Sequence, residues 1–131
     1  MTSTSKRKAN WDLDRLDGEA AEHMLAQLLK ESNIEVKHDK QAMKTGRVFI
    51  ETECEYKTGW GPSGINVTEA EAWAFVLDLE KNITITIKTE WLVSLVALYK
   101  DRRPLYMENE EGYATKGIGV PLNAIIRGWP D

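Results

Sequence analysis

The segment IEVKHDKQAMKTGRVFIETE constrains this chain more than any other. From Ile34 to Asp39, and again from Arg47 to Cys54, apolar and polar residues alternate. A period of two marks a half-buried β-strand, because successive side chains leave a strand on opposite sides. The alternation predicts Ile34 and Val36 inward, with Glu35, Lys37 and Asp39 sharing the other face. On the second run Val48 and Ile50 share one face and Phe49, Glu51 and Glu53 the other. Lys40 to Gly46 reads as a loop with a Thr45-Gly46 turn, and two strands so joined predict an antiparallel hairpin. In such a hairpin the polar faces meet, and three or four carboxylates converge with one lysine.

Other elements surround this pair. Leu16, Ala20, Met24 and Leu28 recur every four residues, beside Ala21, Leu25 and Leu29, which predicts an amphipathic helix over 15–31. Tyr56 to Asn66 contains Gly59, Gly61, Pro62, Ser63 and Gly64 and reads as a loop near a ligand or another backbone. Trp73 to Leu79 and Ile83 to Lys88 read as strands joined by Lys81-Asn82. Thr89 to Lys100 reads as a second helix, 101–116 as irregular, and Ile118 to Leu122 as a last strand that Pro121 confines to an edge or an end. The expected fold is α/β: a mixed β-sheet flanked by helices, with a basic flexible tail over 1–10 and one domain over 11–131.

Composition excludes several classes. Among 131 residues, 42% are hydrophobic and 29% charged, a globular balance. No apolar run approaches the ~20 residues of a membrane span, and MTSTSKRKAN does not read as a secretory signal. Cys54 is the one cysteine, so an intrachain disulfide and a Cys-rich zinc site are excluded, and a reduced, cytoplasmic setting is expected. The net charge of −4 argues against nucleic-acid binding by bulk charge alone. Basic residues are nonetheless clustered at 6–8, at 37–47 and at 100–103. No P-loop, Rossmann glycine signature or nucleophile elbow is present. Cys54 has no evident partner base, and Trp11, Trp73, Trp91 and Trp129 read as packing residues.

Gathered carboxylates repel one another unless a cation compensates them. Hard oxygen donors with open water positions suit Mg²⁺ or Mn²⁺. Such an ion polarises a phosphodiester and acidifies a water, and a neighbouring lysine stabilises the charge that develops on phosphate. The plainer reading of the same alternation is the solvated face of an amphipathic hairpin.

A helix bearing Gly18-Glu19-Ala20-Ala21-Glu22, then Asp39, then Glu51-Thr52-Glu53, resembles the PD-(D/E)XK nuclease superfamily. GEAAEHMLAQLL is similar to the first helix of archaeal-type Holliday-junction resolvases. TGRVFIETE followed by PSGINVTEAEAW is similar to small phage-encoded nucleases of the superfamily. The resemblance spans about residues 15–100 and implies a restriction-endonuclease-like core with the order αβββ-β-α-β. It implies that Asp39 and Glu51 bind the metal with help from Glu22, or from Glu19 in its place. Glu53 stands where the superfamily pattern has lysine, and Lys37 is the candidate for the migrated cation; the two are expected to handle the attacking water and the charge on phosphate. A second register takes Glu35-Val36-Lys37 as the acid-x-lysine pair itself, but leaves no preceding strand for the aspartate.

Lys40, Lys44 and Arg47 flank the hairpin link, and Lys57 lies in the glycine-rich loop; all four are candidates for phosphate contacts. Trp60 is a candidate for stacking on an exposed base. The expected function is a Mg²⁺- or Mn²⁺-dependent endonuclease acting on DNA, branched or nicked DNA included. The resemblance also implies a homodimer, for which Trp129 or the second helix is a candidate interface. The alternatives are an inactive nuclease-fold module that mimics DNA or caps a partner, favoured by the acidic charge and Glu53, and a self-associating structural protein.

Overall fold

The computed structural model describes residues 4–108 and 111–128, the side chains of residues 4–16 aside. Trp129, Glu110 and the Trp11 side chain lie outside that description. The chain forms two compact units, Met1–Ser32 and Asn33–Asp131.

The first unit is one helix, α1 (Thr4–Glu31). The helix expected over 15–31 begins earlier, and the basic stretch expected as a tail is helical from Thr4. No proline interrupts it, and Gly18 weakens a helix without stopping it. Met24, Leu25 and Leu29 are exposed along α1.

Among the described residues the second unit is α/β and contains two sheets. In chain order its elements are β1 (Ile34–His38), α2 (Ala42–Thr45), β2 (Arg47–Tyr56), β3 (Gly59–Pro62), a 3-10 turn (Gly64–Asn66), β4 (Ala72–Asp78), β5 (Ile83–Lys88), α3 (Thr89–Tyr99), β6 (Leu105–Glu108), β7 (Ala114–Pro121) and α4 (Leu122–Arg127). The three-stranded sheet has the order β1-β4-β5 and is mixed: β1 runs parallel to β4, and β5 antiparallel to it. The four-stranded sheet is antiparallel, in the order β3-β2-β7-β6.

The hairpin expected of β1 and β2 does not form, because the two strands lie in different sheets. Their connection is not a tight turn. Ala42 is fully buried at the start of α2, and Gly46 caps that helix in a left-handed conformation, φ 75°. The chain thereby leaves β1 and enters another sheet. The β1 faces are also reversed. Register pairs Glu35 with Trp73 and Lys37 with Phe75, whose side chains belong to the core, whereas Val36 is 61% exposed. Pairing with β4 sets this orientation, and β1 is an edge strand whose own apolar residues are too few to override it.

β4 reads AWAFVLD, a nearly continuous apolar run, and is buried along most of its length as the central strand of its sheet. Trp73, Phe75 and Leu77 join Val48 and Ile50 of β2, Ile118 and Val120 of β7, Leu92, Leu95 and Tyr99 of α3, and Ala124 and Ile125 of α4 in one core. Each large side chain so buried contributes about 1.5–3 kcal/mol. Trp91 ties α3 to α4 through its indole N–H, which donates to the Ile125 carbonyl at 3.1 Å. Three segments expected as loops or irregular are ordered. β3 runs along β2, α2 occupies the link after β1, and β6 pairs with a β7 that begins four residues earlier than its apolar run suggests. Pro121 stands at the end of β7, as expected of proline. Among the described residues no helix is long and apolar enough to cross a membrane.

Candidate functional site

A cleft of about 340 Å³ opens beside β1. Its walls include Glu35 and Lys37 from β1, Glu51 from β2, Gly64, and the segment from Val67 to Ala70 that carries Glu69. Glu35 and Lys37 reach it because β1 turns its odd positions to the Trp73 face. The Lys37 ammonium lies 3.9 Å from Glu35 Oε1, with both side chains 43% exposed. It also stands 5.7 Å from the centre of the Trp73 ring. A pair this long and solvated leaves most of the three ammonium donors open to another acceptor.

Glu51 lines the cleft from β2, just before a β-bulge. Glu51 pairs with Gly117 and Glu53 with Lys116, so β2 has one residue more than β7 over this step, and Thr52 is the extra one. A bulge reverses the alternation beyond it. Glu51 therefore keeps the face of Phe49, while Glu53 joins the face of Ile50 and Ile118. The expectation that Glu51 and Glu53 share a face is corrected by this single inserted residue. Thr52 is held from three sides: its carbonyl accepts from Ser63 N at 3.0 Å and from Asn66 Nδ2 at 2.9 Å, and its hydroxyl donates to the Lys116 carbonyl at 3.2 Å. Gly64 lies flat on this spot at φ +55°, where a Cβ would stand 2.2 Å from the Glu51 carbonyl oxygen. The Ser63-Gly64-Ile65-Asn66 run is thus a clamp on β2.

Glu53, on the other face, makes a 2.9 Å ion pair with Lys116. That hydrogen bond holds the Lys116 ammonium above its ordinary pKa. Lys116 in turn lies 4.9 Å from the centre of the Trp60 ring, and Trp60 meets Tyr106 edge to face at 6.0 Å. Trp60, 41% exposed, is part of this cross-strand cluster. Nearby, Tyr56 donates to the Pro62 carbonyl at 2.9 Å, and its phenol is pushed above the ordinary value, chiefly by its hydrogen bond with Cys54.

Asp39 is engaged with backbone. Oδ1 accepts from the N–H groups of Gln41 and Ala42 at 3.1 and 3.0 Å, and Oδ2 from Phe49 N at 2.8 Å. The carboxylate starts α2 and ties the end of β1 to β2 across the two sheets. It lines a separate cavity of about 50 Å³ with Arg47, Phe49 and Met107. The expected meeting of Asp39 and Glu51 in one pocket is not what these two cavities contain. Glu19 and Glu22 are exposed residues of α1, in the other unit. Lys40, Lys44, Arg47 and Lys57 are all exposed around the β1–β2 link and the β2–β3 turn.

No family model, curated protein or solved structure matches this chain.

The cleft thus joins Glu35, Lys37 and Glu51, and adds Glu69, which sequence reasoning did not single out. Among the described residues no three His, Cys, Asp or Glu side chains stand close enough together to hold a metal ion. The signal for Glu35 was present in the Glu35-Val36-Lys37 spacing. The signal for the Thr52 bulge was not, because its partners lie at positions 63, 66 and 116.

Proposed function

We propose that the chain is a divalent-metal-dependent endonuclease hydrolysing DNA phosphodiester bonds, related in plan to the PD-(D/E)XK nucleases its motifs resemble. The observation that carries this reading is the presence of Glu35, Lys37 and Glu51 in the walls of one cleft. Here Glu35-Val36-Lys37 supplies the acid-x-lysine pair and Glu51 the second carboxylate. Asp39 becomes the brace that sets the distance between their strands.

The donor set fits a hard cation. Mg²⁺ is commonly held by one or two carboxylates, with water and substrate phosphate completing its shell, and Mn²⁺ accepts the same oxygens. Glu35 and Glu51 would hold it. Such a cation, when bound, neutralises phosphate charge and makes a bound water acidic. Lys37 places its ammonium against the phosphate oxygens, where a preset positive charge favours the transition state over the ground state. Glu69 is the residue to receive the proton of the attacking water. Lys40, Lys44, Arg47 and Lys57 contact the DNA backbone, which positions the duplex without reading its sequence.

A second reading, an inactive module that binds a partner, is favoured by Glu53 and Asp39, since one is neutralised by Lys116 and the other engaged by backbone N–H groups. Incubation with supercoiled plasmid and with branched or nicked oligonucleotides, with and without Mn²⁺, separates the two. The nuclease reading requires metal-dependent cleavage that Glu51→Gln removes and Glu53→Gln retains. A parent protein that leaves every substrate intact, and gains no thermal stability from Mg²⁺ or Mn²⁺, is the partner-binding module.

A further inference from the structure

Among the described residues four strands stand at sheet edges: β1 and β5 in one sheet, β3 and β6 in the other. Natural edges are blunted by charge, proline, glycine or shortness, since an open row of N–H and C=O groups recruits another strand. Three of the four edges follow that rule. β1 carries Glu35 and Lys37, β3 reads GWGP, and β6 is four residues long and ends in Glu108. β5 does not. It reads ITITIK, with a β-branched residue at each of its first five positions and one charge, Lys88, at its far end. Among the described residues β4 is the only strand that pairs with it.

The sequence of β5 is also complementary to itself. Pairing to β4 places Ile85 and Ile87 on the Trp73 and Phe75 face, and Thr84 and Thr86 on the Ala74 and Val76 face. Two copies of β5 laid antiparallel about Ile85 would set Ile83 against Ile87, Ile85 against Ile85, and Thr84 against Thr86. Every pair in that register is like with like, isoleucine on the core face and threonine on the other, and Lys88 falls outside it. A two-fold axis requires such an isologous match. Cross-strand isoleucine contacts and threonine pairs are the units that stabilise antiparallel sheets. Ile83, 37% exposed, would be covered by the partner's Ile87, which prolongs the apolar face already begun by β4.

We infer that β5 is a dimerisation edge, its occupant a second copy of β5, joining two three-stranded sheets into one of six strands. This interface is independent of the nuclease reading and differs from the second helix and Trp129 expected from sequence. The test uses the full chain with Cys54→Ser and a mixture of two single variants, Thr84→Cys and Thr86→Cys. Mild oxidation is expected to yield the crossed disulfide dimer, at several times the amount of either like-with-like product. In sedimentation the parent is expected to dimerise in the micromolar range, and Thr86→Lys, on the face away from the core, to be monomeric with an unchanged circular-dichroism spectrum. A parent that stays monomeric at 200 µM overturns the inference. So does a dimer that Thr86→Lys leaves intact, or crosslinking in which no pair is preferred.

Discussion

Glu51 and Glu53 are two positions apart on β2, yet they face opposite sides of its sheet. Glu51 lies opposite Gly117 and lines the cleft; Glu53 lies opposite Lys116 and pairs with its ammonium at 2.9 Å. The bulge at Thr52 separates a candidate chemical role from a structural one within three residues.

The cleft residues carry the first prediction. Glu51→Gln removes one of two proposed metal carboxylates, and Lys37→Ala the ammonium proposed to meet the phosphate. Each is expected to lower Mn²⁺-dependent plasmid cleavage by about 10²–10³-fold, the usual loss when one transition-state charge partner is removed. Glu51→Gln should also abolish Mn²⁺-induced thermal stabilisation, read by differential scanning fluorimetry. Cleavage at the parental rate by both variants would sink the proposed site.

Asp39 behaves differently under the same assay. Its carboxylate accepts three backbone N–H groups, so Asp39→Ala strips the start of α2 and the tie to Phe49 together. Hydrogen bonds to a charged group are worth roughly 1.5–3 kcal/mol each in favourable sites, and for this part-exposed network a total loss of about 2–3 kcal/mol is expected. That lowers the melting temperature by roughly 10 °C. Its loss of cleavage should track loss of folded protein, whereas the Glu51→Gln protein remains as stable as the parent.

Gly64→Ala tests the clamp on β2. The new methyl would meet the Glu51 carbonyl at 2.2 Å, and the φ of +55° is unfavourable for alanine. Overpacking and left-handed strain together cost about 2–4 kcal/mol. Urea unfolding should show that loss. Gly117→Ala, whose Cβ would stand 2.2 Å from the Ile50 carbonyl without a positive φ, should show the overpacking part alone, about 1–3 kcal/mol.

The Glu53–Lys116 pair predicts a pH dependence of stability. The folded state holds the Lys116 proton more tightly than the unfolded chain, whose lysine keeps the ordinary value of 10.5. The pair therefore contributes its full stabilisation below about pH 10.5 and loses it as pH rises through the raised folded value. The alkaline side of the parent's stability profile should fall more steeply than that of Glu53→Gln. The difference between the two, taken by thermal melts from pH 8 to 12, removes the tyrosine titrations they share. Parallel profiles would show that the pair is not linked to folding.

Much of the local structure was legible because it depends on neighbours in the chain. The alternation of β2, the apolar run of β4, the threonine–isoleucine repeat of β5 and the spacing of α3 each specify an element with no distant contact. Glu35-Val36-Lys37 likewise put a carboxylate and an ammonium on one side of a strand.

Tertiary structure decided which strands met and which way they faced. β1 pairs with β4, 38 positions on in register from Ile34 to Ala72, and that partner turned Glu35 and Lys37 toward the Trp73 face and Val36 toward solvent. The bulge at Thr52 is held by Ser63, Asn66 and Lys116, none of which its own alternation could announce. Periodicity is a property of consecutive residues. Strand partner and register follow from burying one shared core, and that choice becomes available only once the whole chain is in place.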